Sequence, residues 1–220
     1  PCVPKMIGLK GQRLMAGPPG IFPAIGPLGI RVISMDFLLP EQETPVIWRG
    51  PLKYQAIRQF LSDIVWGELD YLFIDLPPGT GDEALSVMQL LPEMDGVVIV
   101  TIPSEVSQGV VKKAVSFARQ LKTPVIGVIE NMSGFICPKC RERTDIFKVG
   151  GGKRAALDMG VPFLGSIPIE KGVVESSDNG VPVVLDEQSE AGRVFEEIAA
   201  RVEEACLLYT SDAADEGLGV

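Results

Sequence analysis

The sequence contains no histidine. That single absence removes Ser-His-Asp catalysis, Cys-His catalysis and His-ligated metal chemistry together, leaving carboxylates, lysines, backbone amides, cysteines and bound metal for any chemistry. A surplus of positive charge is also lacking. The formal net charge is −9, which repels a phosphate backbone and speaks against nucleic-acid binding. No apolar run reaches the length of a membrane span, and the longest, near Gly96–Ile102, suits a buried strand. The Pro-rich start has no charged-then-apolar order of the kind an export signal needs. Cysteine is scarce, at four residues: Cys2, Cys137, Cys140 and Cys206. With no export signal the chain reads as cytoplasmic and reduced, where a close cysteine pair serves metal or redox chemistry rather than a disulfide.

What is present is enough apolar material for a core, 46% of 220 residues. Pro1 to Pro51 is rich in Gly and Pro, with one expected strand at Ile30–Met35. Beyond it, short apolar runs bounded by turn residues recur at Tyr71–Asp75, Val97–Ile102, Val125–Ile129 and Phe163–Ile167. Helical spacing fills the gaps at Leu52–Val65, Asp82–Leu91, Glu105–Leu121 and Gly152–Met159, and a further helix is expected over Glu190–Glu204. Buried strands alternating with helices predict an α/β fold: a mostly parallel sheet, right-handed crossovers and helices on both faces. We expect one domain over residues 1–205. The stretch 206–220 extends neither an apolar nor a charged stripe and is expected to be disordered or foreign to the domain.

Ligands of parallel α/β sheets bind beyond the C-terminal ends of the strands, and the unusual residues of this chain stand there. Tyr71-Leu-Phe-Ile-Asp75 reads as a strand ending in a Mg²⁺-holding carboxylate of the Walker-B kind. In the following Pro-Pro-Gly-Thr-Gly, Gly79 can bring an amide to a γ-phosphate, and Asp82 can cap the next helix. An isolated strand-end Asp is usually only a turn residue, but the full string through Asp82 outweighs that reading. Cys137-Pro-Lys-Cys140 places two thiolates on one tight turn, able to chelate a soft metal ion, with Lys139, Arg141 and Arg143 supplying positive charge. Two thiolates complete neither a tetrahedral site nor a four-iron cluster, so a two-fold dimer giving two ligands per chain is the economical arrangement. Lys148-Val-Gly-Gly-Gly-Lys-Arg154 invites a phosphate-loop reading, which fails: Phe147 stands at the first Gly position and Arg154 at the hydroxyl position. It reads instead as a flexible turn into a helix. Trp48-Arg49 can contact a partner chain or a phosphate, or simply cover a sheet edge.

With these residues the chain resembles the Mrp/ApbC family of iron–sulfur carriers, relatives of the MinD and ParA ATPases. The resemblance runs from about Pro1 to the Glu190 helix. It rests on Pro4-Lys-Met, Val46-Ile-Trp-Arg-Gly-Pro51, Asp75-Leu-Pro-Pro-Gly-Thr-Gly-Asp82, Glu130-Asn-Met-Ser133, Cys137-Pro-Lys-Cys140 and Gly165-Ser-Ile-Pro168 in order. It implies a P-loop NTPase fold and a homodimer bridged by a 4Fe–4S cluster on Cys137 and Cys140 of both chains. It implies ATP with Mg²⁺ at the dimer interface, Asp75 as Mg²⁺ and switch residue, and Asn131 reading adenine with Pro168 and Ile169 beside the base. The cluster would come from an assembly scaffold and pass to apo-proteins, with no role for nucleic acid or membrane. The family's deviant Walker A, Lys-Gly-Gly-x-Gly-Lys-Ser/Thr, precedes the position of Pro1. No stretch of the 220 residues matches it, and Cys2 stands where the family usually has Ser. The expectation is therefore a fold lacking its first strand and phosphate loop, with hydrolysis a property of the longer form. Two other readings compete: a ParA/MinD-like positioning ATPase without a cluster, and a non-enzymatic dimer bridged by zinc at the same cysteines.

Overall fold

The computed structural model describes residues 2–39, 50–137, 139–140 and 142–216, with side chains as far as Leu207. Trp48 and Arg49, considered above as a partner contact, lie outside the described residues, as do Pro138 and Arg141. The chain divides into two compact units, Pro1–Leu90 with Val174–Pro182, and Leu91–Val173 with Val183–Val220.

The first unit opens with α1 (Val3–Met6) and two small antiparallel hairpins, β1 (Met15–Gly17) with β2 (Gly20–Phe22) and β3 (Ala24–Ile25) with β4 (Arg31–Val32). Only Arg31 and Val32 of the expected Ile30–Met35 strand join a ladder, since a helical turn at Met35–Leu38, capped by Ser34, follows at once. Leu9, Ala24, Val32 and Phe37 form a small core under this segment. Helices α2 (Gly50–Ser62) and α3 (Asp82–Leu90) pack together, tied by an ion pair between Lys53 and Glu83. The Lys53 ammonium holds the Glu83 carboxyl below its usual range.

Between α2 and α3 the structure departs from expectation. Tyr71–Asp75 joins no ladder, and its apolar side chains lie open, with Phe73 79% exposed. The physical reason is that an alternating or apolar run specifies an extended backbone, whereas a strand also needs neighbours for its N–H and C=O groups. Tyr71–Asp75 pairs with none of the described strands.

The second unit carries the parallel sheet, in the order β5-β6-β9: β5 (Val97–Thr101), β6 (Val125–Glu130) and β9 (Phe163–Ser166). The crossover from β5 to β6 is α4 (Glu105–Gln120), started by Ser104 accepting from the Ser107 amide at 3.2 Å. Its apolar stripe of Val111, Val115 and Ala118 is fully buried. The β6 to β9 connection carries a short hairpin, β7 (Phe135–Ile136) with β8 (Arg143–Thr144), and then α5 (Gly151–Met159). Gly150 and Gly160, both left-handed at φ 77° and 59°, bound α5. Helices α4 and α5 pack on each other, α4 also on β5 and β6, and α5 on β6 and β9. A core of Ile126, Leu164, Ile167, Ala191 and Ile198 joins β6 and β9 to the last helix. The second unit also holds the first turn of α6 (Lys171–Asn179), whose later residues belong to the first unit. The last helix, α7 (Glu190–Glu216), runs past Glu204 and into the stretch expected to lie outside the domain.

Candidate functional site: a cysteine hairpin at the C-terminal end of the sheet

Thr101, Glu130 and Ser166 end the three parallel strands, and five of the seven residues singled out from sequence lie just beyond β6 and β9. The segment after β6 and the segment after β9 are stitched by main-chain bonds. The Ile167 amide donates to the Glu130 carbonyl at 2.8 Å, the Ser133 amide to Ile167 at 2.9 Å, and the Ile169 amide to Gly134 at 2.7 Å. Asn131 stands on one side of this seam, Pro168 and Ile169 on the other. The Asn131 amide donates to the Thr101 carbonyl at 2.7 Å, while its side-chain oxygen accepts from the Met132 amide at 2.9 Å. Met132 is left-handed at φ 56°. An open cleft beside Asn131 is lined by Val100, Thr101, Ile102, Ser107 and Val110.

Cys137 and Cys140 sit on the turn between β7 and β8, which the Cys137 amide closes by donating to the Glu142 carbonyl at 3.0 Å. Cys140 is exposed and Cys137 half-buried. The backbone N–H of Cys140, the backbone N–H of Lys139 and the Cys140 thiol, in that order, hold the Cys137 thiol below its ordinary range. The foremost cause is thus main-chain amides at the sulfur. Arg143 donates to the Ser133 carbonyl at 2.9 Å, pairs through Nε with Asp145 at 3.7 Å, and lies against Gly134. Amides pointing at a sulfur on a tight turn suit a thiolate ligand of a soft metal. Among the described residues no third His, Cys, Asp or Glu joins the pair in a cluster.

Asp75 and Gly79 belong to the first unit. Asp75 is exposed and stands outside any helix or paired strand. Gly79 has φ 103°, a left-handed conformation that favours glycine, with open space where a side chain would be. Asp82 and Glu83 occupy the first turn of α3, where acids complement the helix dipole.

The residue that sequence reasoning left without a role is Glu130. It is wholly buried, and both carboxylate oxygens are used. One accepts from the Ser133 hydroxyl at 2.6 Å and the Gly150 amide at 2.8 Å; the other accepts from the Gly152 amide at 2.6 Å. This explains the glycine run that imitates a phosphate loop. A Cβ on Gly151 would fall 2.3 Å from the Pro103 carbonyl oxygen, and one on Gly152 would fall 2.9 Å from the Thr101 methyl. The glycines let the N-terminus of α5 close on an internal carboxylate, which occupies amides that an external anion would otherwise need. A buried strand ending in Glu, followed by a three-glycine helix start, was the signal available in the sequence.

A family profile described as ParA: NUBPL iron-transfer P-loop NTPase matches residues 1–203. The chain belongs to this family. It is 54% identical over 204 residues to the iron-sulfur cluster carrier protein of Methanocaldococcus jannaschii, covering 93% of this chain and 70% of that relative. To the protein of the same description from Saccharolobus solfataricus it is 54% identical over 203 residues, 92% of this chain and 69% of the relative. The cytosolic Fe-S cluster assembly factor CFD1 of Saccharomyces cerevisiae is 43% identical over 215 residues, 92% of this chain and 73% of that protein. Among solved structures, a nucleotide-binding protein of Archaeoglobus fulgidus in complex with ADP, with cobalt found in it, superposes with TM-score 0.73 at 39% identity, over 89% of this chain and 74% of that one. The cell division ATPase MinD of Pyrococcus furiosus, TM-score 0.52 at 20% identity over 71% and 59% of the two chains, shares the fold. This member of the iron-transfer family therefore has the α/β architecture of MinD-type P-loop NTPases.

Proposed function

We propose that this chain is an iron–sulfur cluster carrier that receives a 4Fe–4S cluster from a scaffold, holds it between two copies, and passes it to apo-proteins in the cytoplasm. The observation that carries the reading is the Cys137/Cys140 turn, closed by the Cys137 amide on the Glu142 carbonyl, within a family described by iron transfer. One chain offers two thiolates at this turn, and a four-iron cluster takes four, so the homodimer supplies the second pair. The cluster is cargo, and the chain's task is to present thiolates that bind it and then let it go.

In this reading adenine nucleotide governs exchange. Asn131 reads the base, with Pro168 and Ile169 beside it. Asp75 holds Mg²⁺ and Gly79 gives an amide to the γ-phosphate in a chain that also carries the family's phosphate loop. The ADP complex of the Archaeoglobus fulgidus relative supports a nucleotide role. The test is anaerobic reconstitution with iron and sulfide, followed by absorbance, iron analysis and sedimentation. The expected result is a broad charge-transfer band, one cluster per two chains, and loss of both cluster and cluster-dependent dimer in Cys137→Ala. Zinc retained at the pair with no cluster formed would favour the zinc-bridged dimer instead. A complete cluster on a single chain would sink the bridging model.

A further inference from the structure

The cysteine hairpin and the Asn131 turn share one anchor. Ser133 uses every polar group it has: its hydroxyl donates to Glu130, its amide to Ile167, and its carbonyl accepts from Arg143. Both strands of the hairpin are thereby fixed at one point, β7 because Ser133 precedes Phe135, and β8 because Arg143 belongs to it. Gly134, left-handed at φ 80°, has no room for a side chain, since a Cβ there would fall 2.6 Å from the Arg143 Nε. Below Ser133 the only described partner of its hydroxyl is the Glu130 carboxylate, held in turn by the Gly150 and Gly152 amides at the N-terminus of α5. The carboxylate is fully buried, and three hydrogen bonds to its two oxygens fix its orientation.

We infer that Glu130 is a positioning residue for the metal-binding cysteines, acting through Ser133 and Arg143 on the Cys137/Cys140 turn while holding Asn131 on the same seam. This rests on the cluster-carrier reading of the cysteine pair. The physical argument is that outer groups which orient ligands set metal affinity on the scale of about 10–100-fold. Glutamine at 130 keeps the shape but replaces one acceptor oxygen with an NH₂ donor. It cannot accept from Ser133, Gly150 and Gly152 as the carboxylate does, and one donor must turn away.

The experiment is an anaerobic Co²⁺ titration of the full chain, read by sulfur-to-cobalt absorbance, with thermal melting measured in parallel. Four proteins are compared: wild type, Glu130→Gln, Ser133→Ala, and Val111→Ala as a control for general destabilisation in α4. The inference expects Glu130→Gln and Ser133→Ala to weaken Co²⁺ binding by about tenfold or more, with an altered absorbance envelope. Val111→Ala should leave affinity within about twofold despite its own fall in melting temperature, because Val111 takes no part in the bonds that join Glu130, Ser133 and Arg143. Should Glu130→Gln fail to fold, Ser133→Ala decides alone, since it keeps both glycine amides on the carboxylate. Normal Co²⁺ affinity in variants that merely melt earlier overturns the positioning role and leaves the carrier reading intact. Failure of the wild type to bind Co²⁺ at the cysteines overturns the carrier reading and this inference with it.

Discussion

At the scale of single residues, sulfur chemistry separates the cysteines. The Cys137 thiol is lowered by amides pointing at it, and Cys206 is raised by burial and then by Asp95. A lowered thiol reaches its reactive thiolate form at lower pH, a raised one only at higher pH. Alkylation by iodoacetamide at pH 7, followed peptide by peptide in a mass spectrometer, should therefore modify Cys137 well before Cys206. The half-maximal pH of the Cys137 rate should lie below that of Cys206. Equal rates at pH 7 would mean that the turn does not favour a thiolate. Asp75 yields a second residue-level expectation, in a chain extended to carry the family's phosphate loop. Asp75→Asn keeps size and removes charge, so folding and cluster content should persist while ATP hydrolysis falls by about a hundredfold, the scale of one lost preorganised charge contact. Normal hydrolysis would make Asp75 a turn residue only.

At the scale of elements, two glycines in neighbouring helices have opposite roles. Gly151 begins α5 with the Pro103 carbonyl against it, so Gly151→Ala forces the helix start away from β5 and from Glu130. The cost should be about 1–3 kcal/mol, as for an overpacked site. Gly109 lies in α4 with nothing within 4 Å of where its Cβ would stand. Gly109→Ala should stabilise by about 0.5–1 kcal/mol through helix propensity. Thermal unfolding followed by circular dichroism checks both. A neutral Gly151→Ala would show that α5 can close on Glu130 from further away than the structure has it.

For the whole molecule, the expectations concern nucleotide affinity and the proposed pairing of two chains. The 220 residues hold no Walker A sequence, and the amides of Gly150 and Gly152 are already taken by Glu130. Charge-assisted hydrogen bonds contribute about 1.5–3 kcal/mol each, so a chain without a phosphate cradle should bind ATP orders of magnitude more weakly than one with it. Calorimetry should find no micromolar site. Micromolar binding would require a phosphate site that the sequence does not contain. On the proposed bridging of one cluster by Cys137 and Cys140 of two chains, cluster loading should shift sedimentation from monomer to dimer without nucleotide.

The sequence by itself determined the local grammar of the second unit. Apolar runs of strand length placed β5, β6 and β9, helical spacing placed α4 and α5 to within a residue or two, and the Cys-x-x-Cys spacing with its polar flanks predicted a turn. Each of these signals lies within a few residues of what it specifies. Tertiary structure decided the rest, because pairing and burial depend on distant partners. Tyr71–Asp75 has the composition of a strand yet no ladder in the first unit, since hydrogen-bond partners are not written in the run itself. The glycine run 150–152 has the composition of an anion cradle, but its anion is Glu130, twenty residues earlier and visible only when β6 and α5 come together. For the same reason the cysteine turn was legible, while its mounting on Ser133, Arg143 and a buried carboxylate was not.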